Sequence, residues 1–164
     1  MTADERRLER DRAREILDLQ EGRGPVTLLD DAGTLDLLRS ARRIAVVGAS
    51  SRPSRPSLGV FAYLVRHGYD CVPVNPNERE VEGVPAYPTL TVAVAATGAF
   101  DIVDVFRRSE LCVAVAEEAV ATGARALWLQ LGVISWEAAR IAAAGGLAVV
   151  MDRCTAIEHR HIRD

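Results

Sequence analysis

The sequence predicts an α/β domain built on a doubly wound, mainly parallel sheet of five or six strands, with helices on both faces. Three observations carry this expectation. Short apolar runs recur along the chain: Ile44-Ala45-Val46-Val47, Cys71-Val72-Pro73-Val74, residues 101–105, residues 126–131 and residues 147–151. These runs are nearly continuous rather than alternating with polar residues, as expected of strands covered on both faces. Most of them are separated by helix-length segments, which implies right-handed crossovers and parallel pairing, since antiparallel neighbours need only a tight turn. The pattern is Rossmann-like, with the first and fourth strands expected to flank the switch point.

Each element has its own signal. Residues 4–20 carry charges of alternating sign around Leu8, Ile16 and Leu17, the pattern of a solvent-facing helix laid on the domain or of a frayed arm. Gly22, Gly24 and Pro25 break it, so residues 1–30 read as a charged arm and 31–164 as the domain. A short helix over Thr34 to Ala41 is expected to use Thr34 as its N-cap. After the first strand, Leu58, Phe61, Leu64 and Val65 recur at helical spacing, and Gly68 supplies the stop. Pro73 lacks an amide donor, so the second strand cannot be laddered on both sides there. Residues 77–90 read as loop, with a short edge strand around Val84 to Tyr87. A small helix around Leu90 to Ala96, a helix over Glu110 to Thr122, and an alanine-rich helix capped by Ser135 fill the remaining crossovers. A polar tail is expected after Met151.

Bulk numbers bound the function. The 164 residues are 49% hydrophobic and 26% charged, a globular composition with enough chain for one sizeable core. Twenty basic against 23 acidic residues give a net charge of −3. No global basic field recruits nucleic acid or anionic lipid, so any anion site must be local. No apolar run is long enough to span a bilayer, and the charged first residues lack a signal-peptide core. Cys71, Cys112 and Cys154 are odd in number and widely spaced, which suits reduced thiols and a cytoplasmic protein.

In an open parallel sheet the ligand lies beyond the carboxyl ends of the strands. Those ends read Gly48-Ala49-Ser50-Ser51, Asn75-Pro76-Asn77, Phe106-Arg107-Arg108-Ser109, Gln130-Leu131-Gly132 and Asp152-Arg153-Cys154. The first is the most informative. Gly48 permits a tight turn, after which amides and hydroxyls can converge on an anion at a helix start. Ser50, Ser51, Ser54 and Ser57 supply donors, and Arg52 and Arg55 supply positive charge. Gly59 would allow close approach of the helix to the strand or to a phosphate.

The loop is not a dinucleotide fingerprint. Ser50 and Pro53 occupy the places of the second and third glycines, and Asn75-Pro76 stands where a ribose-binding acid is expected. There is no Walker G-K-[ST] either. Arg107 and Arg108 sit beside the switch point and suit a phosphate, one of the two being expected to reach it. Trp128 reads as core. Gln130, at a strand end, reads as functional because its amide is hard to satisfy in a core. Cys154 with His159 or His161 as base is a weak candidate nucleophile, and His159, His161 and Glu158 make a weak metal cluster, so no metal is expected.

Taken together and in order, the stretches VVGASSRPSRPS (46–57), GYDCVPVNPN (68–77), DIVDVFRRSE (101–110), ALWLQLGV (126–133) and VVMDRCTAIEH (149–159) resemble the small stand-alone CoA-binding proteins. Their domain is shared with the N-terminal part of the succinyl-CoA synthetase alpha subunit, and the resemblance covers about residues 35 to 162. It implies coenzyme A or an acyl-CoA as ligand. Gly48, Ser50 and Ser51 would contact phosphate, and Arg52 or Arg55 the pyrophosphate or 3′-phosphate. Asn75 and Pro76 would lie against the nucleotide, Phe106 and Arg107 would wall the crevice, and Gln130 and Arg153 would lie near it. The synthetase's phosphorylated histidine and ligase chemistry belong to a further domain with no counterpart here, so the expectation is a non-catalytic binding or regulatory module. An NAD(P)-dependent or thiol-dependent enzyme, and a protein-interaction domain with a vestigial pocket, are the alternatives.

Overall fold

The computed structural model of the chain describes residues 1–162. Five parallel strands, β1 (Arg43–Val47), β2 (Asp70–Val74), β5 (Ile102–Val105), β6 (Ala126–Leu129) and β7 (Ala148–Val150), form one sheet in the order β2-β1-β5-β6-β7. A two-stranded hairpin, β3 (Glu80–Val81) and β4 (Val84–Pro85), follows β2 and meets the sheet edge through a parallel bridge between Val74 and Tyr87. The hairpin fills the region expected to be loop with one edge strand. Pro73 is tolerated because β2 is the outer strand of the main sheet, with its carbonyl still accepting from the Tyr87 amide at 3.0 Å.

Each strand presents successive residues to opposite faces, and both faces are buried. Ala45, Val47, Val103, Val105, Leu127 and Leu129 point to one core, shared with α4 (Leu90–Thr97), α5 (Cys112–Ala121) and α6 (Trp136–Ala144). Ile44, Val46, Ile102, Ala126 and Trp128 point to the other, shared with α2 (Asp31–Ser40), α3 (Pro56–Arg66) and α7 (Thr155–His159). Two-sided burial explains why the strands read as continuous apolar runs. Trp128 is fully buried and its indole N–H donates to the Arg153 carbonyl at 2.7 Å, so it belongs to the core as expected.

Three local expectations are corrected. Asp30, not Thr34, caps α2: its carboxylate accepts from the Gly33 amide at 2.7 Å, while Thr34 lies buried one turn inside. The residues after Met151 are not a polar tail, because Thr155 and Ala156 bury into the core and α7 packs on α2 and α3. The switch point lies between β1 and β5, the third strand of the main sheet and the fourth only when the hairpin segment is counted as one. Ser135 caps α6 as read, accepting from the Ala138 amide at 3.2 Å.

The N-terminal helix α1 (Ala3–Gln20) has no buried residue and is opened by a capping box between Thr2 and Glu5. It lies on the domain at the start of α6, where the Trp136 indole N–H donates to the Glu15 carbonyl at 3.0 Å. Among the described residues no helix is long and apolar enough to cross a membrane.

Candidate functional site

The sheet order creates the site. The chain leaves β1 for the outer strand β2 through α3 on one face, then returns past β1 to β5 and continues through α5 on the opposite face. The loops after β1 and β5 therefore diverge, and a crevice opens between them at the carboxyl ends of the strands. Its volume is about 1100 Å³.

Gly48 forms the corner. Its amide donates to the Val74 carbonyl at 2.8 Å, its φ is +86°, and a Cβ there would fall 2.5 Å from the Phe106 carbonyl oxygen. No side chain fits, so the loop after β1 and the loop after β5 touch backbone to backbone. Beyond the corner the loop is tied by its serines: the Ser50 amide donates to Ser57 Oγ and the Arg52 amide to Ser50 Oγ, both at 3.1 Å. Asn75 Nδ2 donates to the Ala49 carbonyl at 2.9 Å and holds the end of β2 against the same loop.

Ten of the 14 residues read as candidates from the sequence line the crevice: Gly48, Ser50, Arg52, Arg55, Ser57, Asn75, Phe106, Arg107, Arg108 and Gln130. The other four are placed differently. Ala49 is buried beneath the loop, and Pro76 is exposed but not on the crevice wall. The Ser51 amide and hydroxyl both donate to the Glu78 carboxylate, at 2.8–3.0 Å. These bonds hold the Glu78 carboxyl below its ordinary range, with Arg52 adding to the effect. Arg153 turns away to pair with Asp31 at 2.7 Å and Glu158 at 3.4 Å. Gly59 has nothing within 4 Å of the place its Cβ would take, so α3 does not need a glycine there to pack.

Arg52, Arg55, Arg107 and Arg108 all border the crevice. Among the described residues none of them forms a salt bridge, although Glu78 and Glu110 border it too. Four arginines against two glutamates around one cleft, in a chain of net charge −3, make a local positive field of the kind composition alone could not reveal.

Gln130 has a different environment from the one expected. It is buried, and its Nε2 donates to Asp104 Oδ1 at 2.7 Å and to Thr155 Oγ1 at 2.9 Å. Thr155 Oγ1 in turn donates to Asp104 Oδ2 at 3.0 Å. The amide is therefore satisfied in the core while its residue still forms crevice wall. Burial pushes the Asp104 carboxyl up to about 7, against the downward pull of these two bonds. Asp104 escaped the sequence reading because it sits within an apolar strand, and only the placement of α7 shows what it faces.

Further lining residues are Val60 on α3 and Glu78 after β2, both just outside the motif stretches, and Ile157 and Cys154 at α7, within the last of them. Cys154 borders the cleft, whereas Cys71 and Cys112 are buried and their thiols are pushed up to about 12 and about 11 by desolvation. His159 Nδ1 is 2.9 Å from the Tyr63 hydroxyl, and His67 stacks on the same tyrosine ring while its Nδ1 is 2.7 Å from the Tyr63 carbonyl. No group of three or more potential metal ligands is present among the described residues.

The family model described as CoA binding domain matches residues 42–160. A curated relative, the uncharacterized protein YneT of Bacillus subtilis, is 41% identical over 124 residues, covering 76% of this chain and 90% of its own. A solved protein from Pyrococcus horikoshii superposes with a TM-score of 0.76 at 36% identity, over 80% of this chain and 91% of that one. One from Thermus thermophilus gives 0.74 at 34%, over 80% and 98%. The dinucleotide-forming acetyl-coenzyme A synthetase 1 of Ca. Korarchaeum cryptofilum shares the fold at 24% identity and a TM-score of 0.60, over 71% of this chain and 28% of its own. With the family match running from the start of β1 through α7, and every lining residue of the crevice except Arg12 inside it, the chain belongs to the CoA binding domain family.

Proposed function

We propose that the protein binds coenzyme A or an acyl-CoA in the crevice between the Gly48 loop and the Phe106-Arg107-Arg108 turn, as a binding or regulatory module and not as a catalyst. The observation that carries this reading is the set of arginines around a cleft at the switch point that have no salt-bridge partner among the described residues. Coenzyme A brings a pyrophosphate and a 3′-phosphate, and guanidinium forks match phosphate oxygens bidentately. Arg52 and Arg55 would meet one phosphate group and Arg107 or Arg108 another. Gly48 and Ser50 would approach the pyrophosphate, and Phe106 would flank the nucleotide. The cleft exceeds the roughly 300–1,000 Å³ of ordinary small-molecule sites, which suits a long ligand that leaves one end in water.

Isothermal titration with CoA, dephospho-CoA and ADP tests the proposal. CoA is expected to bind most tightly, with a loss on removing the 3′-phosphate, and mass spectrometry of natively purified protein should find CoA or a thioester. Absence of heat with CoA at high protein concentration would overturn it. Cys154 on the crevice wall supports a second, thiol-dependent reading. A Cys154→Ser variant that binds and behaves as the wild type removes that reading and leaves the first intact.

A further inference from the structure

We infer that Arg12, on the N-terminal helix α1, is a ligand-binding residue that grips an anionic group of the CoA-type ligand from outside the family domain. This rests on the CoA reading of the crevice. The family match begins at residue 42, and the Thermus thermophilus protein is matched over 98% of its length by only 80% of this chain. Helix α1 precedes the matched region, yet Arg12 forms part of the crevice wall together with Leu131, Gly132 and Val133 of the loop before α6.

The placement of α1 is built and not incidental. Trp136 donates its indole N–H to the Glu15 carbonyl at 3.0 Å, a residue three positions after Arg12 and so on the same side of the helix. Gly24, just past the helix, lies flat on the Trp136 ring, where a Cβ would fall 2.0 Å from a ring carbon. Leu19, Val26 and Leu28 then pack against the core. These contacts anchor α1 to the first turn of α6, the element that follows one wall of the crevice.

The chemistry of Arg12 points the same way. Glu9 and Glu15 stand three residues to either side; burial raises the Glu15 carboxyl and Arg12 is near enough to pull it down against that rise, yet neither acid closes to a salt bridge with it. Among the described residues Arg12 forms no salt bridge, and it lines the same crevice as Arg52, Arg55, Arg107 and Arg108. Five arginines against two carboxylates, Glu78 and Glu110, line this one crevice, and an anion within it offsets the excess positive charge. The anion is a phosphate of the cofactor or a carboxylate on its acyl group, both of which a guanidinium recognises through the same paired N–H donors.

Titration calorimetry at low and moderate salt on the full chain tests the inference, comparing wild type, Arg12→Ala, Arg12→Glu and, as control on the same helix, Arg10→Ala. Arg12→Ala is expected to weaken binding about 5- to 50-fold and to reduce its salt dependence, Arg12→Glu to weaken it further, and Arg10→Ala to leave it unchanged. Loss with both CoA and dephospho-CoA assigns the pyrophosphate. Loss with CoA alone assigns the 3′-phosphate, and loss confined to a succinyl-CoA thioether assigns the acyl carboxylate. Wild-type binding retained within twofold by Arg12→Ala for all three ligands overturns the inference while leaving the CoA reading standing. No binding by the wild type overturns both.

Discussion

The Gly48 Cα and the Phe106 carbonyl oxygen meet where no side chain can stand: a Cβ on Gly48 would lie 2.5 Å from that oxygen, with the backbone already at φ +86°. This contact closes the bottom of the crevice and fixes the distance between its two walls. Parallel pairing leads up to it, since the Phe106 amide donates to the Val47 carbonyl at 2.8 Å. The glycine therefore serves geometry at the site before it serves any ligand.

Gly48→Ala should cost about 2–4 kcal/mol in urea unfolding, from left-handed backbone strain plus displacement of the Phe106 carbonyl, and CoA binding should weaken with it. Gly59→Ala provides the contrast. Gly59 is exposed within α3 and meets nothing, so alanine should add about 0.5–1 kcal/mol through helix propensity and leave ligand affinity unchanged. Equal effects of the two substitutions would contradict the assigned role of Gly48.

Asp104 should make stability fall as pH rises. Its carboxyl is ordinarily near 3.8 and stands at about 7 in the fold, so the native state binds the extra proton between those values. The contribution is fully present below about 4 and is lost as pH rises to 7 and above. At about 1.4 kcal/mol per pKa unit the swing reaches at most about 4 kcal/mol. Asp104→Asn, which resembles the protonated acid, should flatten denaturation free energy against pH and be more stable than wild type above pH 7. A parallel pH profile in the two proteins would refute this.

Legibility in the sequence followed burial and chain proximity. The five strands and their helices were readable because two-sided burial writes continuous apolar runs, and the Gly48 loop because turn, donors and charge fall within ten residues. Gln130 does line the crevice, but the reason given for it fails, since its amide is satisfied in the core by Asp104 and Thr155, 26 and 25 residues away. Arg153 illustrates the converse. Its position at a strand end suggested a ligand contact, whereas Asp31, 122 residues earlier in the chain, occupies its guanidinium instead. Arg12 could not be read at all, because nothing local in α1 signals that Trp136 anchors it beside the cleft.

Glu78 should oppose the ligand. Its carboxylate accepts from the Ser51 amide and hydroxyl, occupying donors that the anion reading assigns to phosphate, and it adds negative charge beside Arg52. Glu78→Ala should tighten CoA binding by about three- to tenfold, with Glu78→Gln intermediate. Calorimetry distinguishes this from the opposite role, because a loss of affinity would place Glu78 on a ligand hydroxyl.

Arg107 should report on the anion field through salt. It is half-buried at the turn after β5, its side chain approaches the Gly48 corner, and it has no carboxylate partner among the described residues. Arg107→Ala should weaken CoA binding about tenfold in low salt, the scale of one charge-assisted phosphate contact. Because exposed charge attraction is screened within about 10 Å at 0.1 M salt, the gap between variant and wild type should narrow as salt is raised. Arg153→Ala is the matched comparison: with its guanidinium committed to Asp31 and Glu158, it should lower thermal stability more than affinity. Equal losses of CoA affinity in the two variants would show that the cleft arginines act through the fold and not on the ligand.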